Sequence, residues 1–215
     1  MNLVLDNVRF SYLNVYTPRA MKGKTGETGK ERFSVSLIFN ENSDAMKKVQ
    51  GGIESAAKEK WGERWQGVLK QLTASGRICL KDGNTRLDRD GEVVPGYEGR
   101  WFLNASAPGK DKDGNPLPAP RVFNRFGQKI TAETRAAFTD ESRGPVSGDY
   151  GQAMVQIWAQ DDPNPEIGRR INATLLGVAL SKFGEPLGRR EMTDEDIASE
   201  FSFEQAPDLG GMMGE

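Results

Sequence analysis

The stretch "GDYGQAMVQIWAQ", residues 148–160, sets Ala153, Val155, Ile157 and Ala159 against Gln152, Met154, Gln156 and Trp158 in strict alternation. Side chains of a β-strand point alternately to opposite faces. This stretch therefore reads as a strand with one apolar face and one polar face, and the polar face carries a single aromatic ring. The pattern recurs. In "GRWFLNAS", residues 99–106, Trp101, Leu103 and Ala105 share one face, and Arg100, Phe102, Asn104 and Ser106 share the other. In "RVFNR", residues 121–125, Val122 and Asn124 oppose Arg121, Phe123 and Arg125. Such a chain must fold as a sheet that buries one side.

The other elements agree. "LVLDNVRFSYLNVY" and "RFSVSLIFN" are rich in β-branched and aromatic residues and read as strands, the first ended by Pro18. The glycine-rich, basic "MKGKTGETGK" between them is a loop. Met46, Val49, Ile53, Ala56, Ala57 and Trp61 fall near helical spacing, which predicts a helix from a Ser43 or Asn42 cap to about Trp65, weakened by Gly51 and Gly52. "RICLKDGN" is a short strand and turn, "ITAETRAA" a brief helix, and "RINATLLGVALSKF" a long strand joined to "GDYGQAMVQIWAQ" by the turn "DDPNPEIG". No βαβ alternation is visible. The expected fold is mainly β: an antiparallel barrel with a helical insertion between its second and third strands, with a β-sandwich as the alternative.

Composition narrows the chemistry. The 215 residues suit one domain plus an appendage, expected at 1–188 and 189–215. With no histidine, Ser-His-Asp and Cys-His catalysis and the histidine-containing zinc sites are excluded. The lone Cys79 precludes an internal disulfide and is expected to be a small buried hydrophobe. No signal peptide or bilayer-spanning run is seen, so a soluble protein of the cytoplasm is expected. "GKTGETGK" is not a Walker A loop, because Pro18 or Lys24 stands where the first glycine is needed. "DKDGN" is not a calcium loop, because Pro116 occupies the position of the sharp-turn glycine. No cofactor and no metal are expected.

Net charge is unevenly spread. Residues 191–215 hold eight carboxylates and no Lys or Arg, a charge of −8. The remaining 190 residues hold 23 acids against 29 bases, a charge of +6. A basic body with an acidic tail is a pattern of nucleic-acid binding, and equally of a tail that serves solubility. Combined with the strand faces, it suggests a groove for a single strand, where cations track phosphates and flat rings stack bases at roughly 1–3 kcal/mol each. Phe102, Phe123 and Trp158 are the expected stacking rings, with Tyr12, Tyr16 and Tyr150 as further candidates. Lys30, Arg32, Arg100, Arg121 and Arg125 are expected on phosphates, with Asn104 and Gln156 as polar contacts. The competing reading places the three main rings in a second core under the helix or a long loop. Trp101, on the apolar face, is expected in the main core.

"GRWFLNAS…PRVFN", "SGDYGQAMVQIWAQDDPNPEIGRRINATLLGVALSKFGEPLG" and the opening "SYLNVYTPRA…ERFSVSLIF" together resemble phage-encoded single-stranded DNA-binding proteins over roughly residues 1–188. The shared pattern is G-x-W-x-L-x-A and SG-x-Y. The resemblance implies an OB-fold core, a five-stranded barrel with a helical insertion. It also implies an acidic C-terminal tail that contacts replication partners such as a polymerase, helicase or primase and competes with DNA for the groove. By position it places DNA-facing residues at Phe102 and Asn104. One departure is that the tail ends "GGMMGE", with Phe201 and Phe203 further in, where related tails end in an aromatic residue. The expected function is sequence-independent single-stranded DNA binding in phage replication or recombination, without catalysis. The alternatives are a small carboxylate- and metal-dependent nuclease acting on single strands, or a virion structural protein.

Overall fold

The computed structural model describes residues 2–22, 28–164 and 167–187. The acidic tail from residue 191, in which "TDEDIASEF" reads from the sequence as a short helix, lies outside the described residues.

Five strands close a barrel: β1 (Asn2–Lys22), β2 (Thr28–Phe39), β4 (Trp101–Pro108), β7 (Tyr150–Asp161) and β8 (Arg169–Lys182). They run in the order β4-β2-β1-β7-β8, and β8 returns to β4 at Ser106–Thr174. That closing seam is parallel, whereas the other four barrel pairings are antiparallel. The order and the parallel seam are those of an OB-type barrel, as the resemblance implied. Three short strands complete the sheet: β3 (Leu80–Asp82) beside β4, β5 (Arg121–Phe123) beside β8, and β6 (Lys129–Ile130) beside β5.

The inward residues of each barrel strand are the apolar set of its alternation. Leu5, Val35, Leu37, Leu103, Val155 and Leu175 are all buried in one core. Between β2 and β3 the chain inserts α1 (Asp44–Trp61) and α2 (Trp65–Ala74). Ser43 caps α1 by accepting from the Met46 N–H, and the helix stops four residues earlier than the spacing suggests, at Gly62, whose φ is +53°. Gly52 belongs to the packing: a Cβ there would stand 2.7 Å from Leu3 Cδ1, so its absence lets α1 seat directly on the barrel.

β1 departs from its simple alternation. It does not end at Pro18 but runs on to Lys22, and Pro18 sits where the β1–β2 register shifts between Asn14 and Arg19, a place where a missing N–H does little harm. Tyr12 has a φ of +49°, lies within the preceding shift between Ser11 and Asn14, and is turned outward while Ser11 is buried. At the start of β7, the SG-x-Y motif has a structural role. Asp149 is buried and accepts from Arg143 Nη2 at 3.0 Å, Val146 N at 2.9 Å and Gly184 N at 3.0 Å. Gly148, at φ +108°, lies where a Cβ would meet the Glu185 carbonyl.

Candidate nucleic-acid interface

The outward residues of β4, β7 and β8 meet across the seam. Trp158 pairs with Asn172, and Gln156 pairs with Thr174, which in turn faces Ser106. The loop leaving α2 is drawn to the same place: Ile171 N donates to the Arg77 carbonyl at 3.1 Å, and Asn104 N donates to the Cys79 carbonyl at 3.0 Å. The result is an open hollow of about 550 Å³. Four lining side chains are cationic, Arg32, Arg77, Lys81 and Arg170, and among the described residues none is acidic. Asn104, Ser106, Gln160, Asn172 and Thr174 supply neutral polar groups, and Trp158 is the aromatic ring.

The hollow is braced from below and open above. Trp158 Nε1 donates to Thr174 Oγ1 at 3.0 Å, which fixes the edge of the indole and leaves the side chain 41% exposed. Arg32 Nε donates to Ser106 Oγ at 3.0 Å, Ser36 Oγ to Asn104 Oδ1 at 2.7 Å, and Asn172 Nδ2 to Gln160 Oε1 at 2.9 Å. Arg170 Nε donates to the Ile167 carbonyl at 2.9 Å. Arg32, held through its Nε, keeps its Nη donors for an anion. Cys79 lies in the wall, and burial pushes its thiol up to about 12, so it is an apolar wall group at neutral pH.

Of the expected site residues, Arg32, Asn104 and Trp158 come together here, and exposed Gln156 continues the same face of β7. Phe102 does not. Its ring is only 2% exposed and packs with Ile38 and Tyr97 in a separate small core. The Tyr97 ring meets it edge-on, with centroids 5.0 Å apart. The segment 83–100 covers this pair, pinned by Gly83 N to the Arg100 carbonyl at 2.7 Å and Gly99 N to Asn84 Oδ1 at 3.0 Å. The Tyr97 hydroxyl is buried beside Ser11 and Ser36, and burial pushes its pKa up. The expectation that Phe102 stands open in the groove is therefore corrected: the second-core reading holds for this ring. Trp101 is half-buried and packs against the main core.

The remaining candidates are scattered. Arg100 is half-buried just before β4 and outside the lining of the hollow. Lys30 is exposed on β2, also outside it. Phe123 and Arg121 line a second hollow that adjoins the first. Arg125 lies over the rings of Phe126 and Phe183, at 4.8 and 5.1 Å. Tyr12, Tyr16 and Tyr150 each already carry an arginine on the ring: Arg86 at 4.8 Å, Arg135 at 4.9 Å and Arg9 at 5.4 Å. Burial raises the Tyr16 pKa against the nearby Arg135 and Arg143 charges. Sequence reasoning missed Arg77, Lys81, Arg170 and Asn172. For the last two a signal existed, since Arg170, Asn172 and Thr174 alternate with Ile171, Ala173 and Leu175 on β8.

An OB-type barrel whose outer face joins a tryptophan to four cations defines a class of nucleic-acid-binding module. The family described as the single-stranded DNA-binding protein of Enterobacter phage Enc34 matches residues 1–208, and this chain belongs to that family. The structure is similar to the single-stranded DNA-binding protein from bacteriophage Enc34 in complex with ssDNA, at TM-score 0.59 and 26% identity over 87% of this chain and 89% of that one. A C-terminal truncation of the same phage protein gives TM-score 0.59 and 24% identity over 86% and 88%. The fold is shared more distantly with gp2.5, a single-stranded DNA-binding protein encoded by bacteriophage T7, at TM-score 0.51 and 11% identity over 96% and 97%. Among curated proteins, none matches the chain. The family is one of binding proteins, not of enzymes. Among the described residues, no helix is long and apolar enough to cross a membrane.

Proposed function

We propose that this chain binds single-stranded DNA without sequence preference at the hollow around Trp158. The indole stacks a base, and Arg32, Arg77, Lys81 and Arg170 neutralise the flanking phosphates. Asn104 and Gln156 offer hydrogen bonds to sugar or base edges. The observation that carries this reading is one exposed ring set among four cations, with no acid among the described lining residues. Every base has a π face, so such a surface discriminates little between sequences. The ssDNA complex of the Enc34 relative supports DNA as the ligand.

The setting is phage DNA replication or recombination in the host cytoplasm, and the protein is not a catalyst. The −8 tail of residues 191–215 competes with DNA for the basic face and serves as the contact for a polymerase, helicase or primase. A gel shift with single- and double-stranded DNA over a range of salt, with and without residues 191–215, tests the reading. The single strand is preferred, affinity falls steeply with salt, and tail removal tightens binding. Equal affinity for both forms of DNA contradicts the proposal, and divalent-metal-dependent cleavage of the oligonucleotide by the pure protein favours a nuclease instead.

A further inference from the structure

The second hollow, about 780 Å³, adjoins the first at Thr174, which lines both. It forms because β5 takes over from β4 along one edge of β8, pairing Arg121 with Gly177 and Phe123 with Ala179. Its character differs from that of its neighbour. Phe123, Met154, Val4 and Leu117 make it apolar, and Arg121 is its one charged lining residue among the described residues. Val4 and Met154 are 45% and 40% exposed, which leaves apolar surface uncovered on the polar side of the sheet.

We propose that this hollow is a second base-stacking subsite, taking nucleotides of the same strand beyond those held at Trp158. The inference rests on the proposed single-stranded DNA binding. Two observations select a nucleic-acid strand over a second copy of the chain: continuity with the basic hollow through Thr174, and a cation, Arg121, as the one charged lining residue among the described residues. Seven residues of β8 separate Asn172, the partner of Trp158, from Ala179, the partner of Phe123. That is about 23 Å at 3.3 Å per residue. A strand stacked at 3.4 Å per nucleotide covers it with about seven nucleotides, within the range of roughly 4–16 per OB fold.

The test uses the full chain and oligothymidylates of about four and about twelve nucleotides. Met154→Glu puts a carboxylate into the second hollow at an exposed position. It lies four residues along β7 from Trp158, about 13 Å, beyond the ~10 Å screening length at 0.1 M salt. Binding of the longer oligonucleotide weakens about tenfold or more, binding of the shorter one is unchanged, and the melting temperature holds. Phe123→Ala gives the same length-selective loss, and Phe123→Trp restores it. Trp158→Ala, by contrast, weakens both lengths. Equal affinity of the wild type and Met154→Glu for the longer oligonucleotide overturns the second subsite and leaves the Trp158 site standing. So does a change in sedimentation of the free Met154→Glu protein with unaltered DNA binding, which assigns the apolar face to self-association. Loss of the Trp158→Ala effect at both lengths points instead to failure of the underlying reading.

Discussion

Phe102 and Trp158 occupy equivalent places in their strands, single rings on the polar faces of β4 and β7, yet one is 2% exposed and the other 41%. The strands are not the cause. Segment 83–100 folds over Phe102 and supplies Tyr97, Val93 and Val94 as packing partners, while no described segment covers Trp158. A polar strand face thus becomes a core or a binding surface according to which loop lies over it. Alternation identifies the face, and long-range packing decides its use.

The largest expected effect separates the two rings by stability. Phe102→Ala empties a closed core and lowers stability by about 3–5 kcal/mol, read as a large drop in the denaturation midpoint. The affinity of the remaining folded protein for a short oligothymidylate is unchanged. Trp158→Ala reverses this: the midpoint hardly moves and binding weakens by about 1–3 kcal/mol, the worth of one stacked base. If Phe102→Ala lost affinity while Trp158→Ala lost stability, the assignment of the two faces would be inverted.

A smaller effect concerns the cations. Arg77→Ala removes one phosphate contact, so the slope of log affinity against log salt falls by about 0.7 for a single strand. Arg125→Ala, whose guanidinium lies over Phe126 and Phe183, leaves that slope unchanged. The smallest effect is chemical. Cys79 sits in the wall of the hollow with its thiol raised to about 12. At pH 8 it therefore stays almost wholly protonated and reacts with a thiol reagent only after denaturation. Ready modification of the native protein at that pH would mean that the wall opens.

Much of the barrel was legible because it rests on local alternation. The inward sets of β4 and β7 were readable, as were the inserted helix and its cap at Ser43 or Asn42, of which Ser43 is the one used. Asn104 and Trp158 followed from the same period of two. What was not legible depends on contacts between distant segments. Arg77 and Lys81 belong to an aperiodic stretch whose position is set by pairing with Ile171 and Asn104. The outward turn of Tyr12 requires a bulge that nothing in "VRFSYLN" announces, and the burial of Phe102 requires a loop beginning nearly twenty residues earlier in the chain. Phe123 was assigned correctly to the outer side of its short strand, but its separation from Trp158 followed only once β5 was seen to join β8 beyond the seam.

The claim that Trp158 stacks a base is tested most directly by equilibrium binding of a short oligothymidylate, at about 0.1 M salt, to wild type, Trp158→Ala and Trp158→Phe. The alanine variant loses about tenfold or more, phenylalanine recovers most of that loss, and both melt close to the wild-type temperature. Wild-type affinity in a folded Trp158→Ala protein would contradict stacking at Trp158.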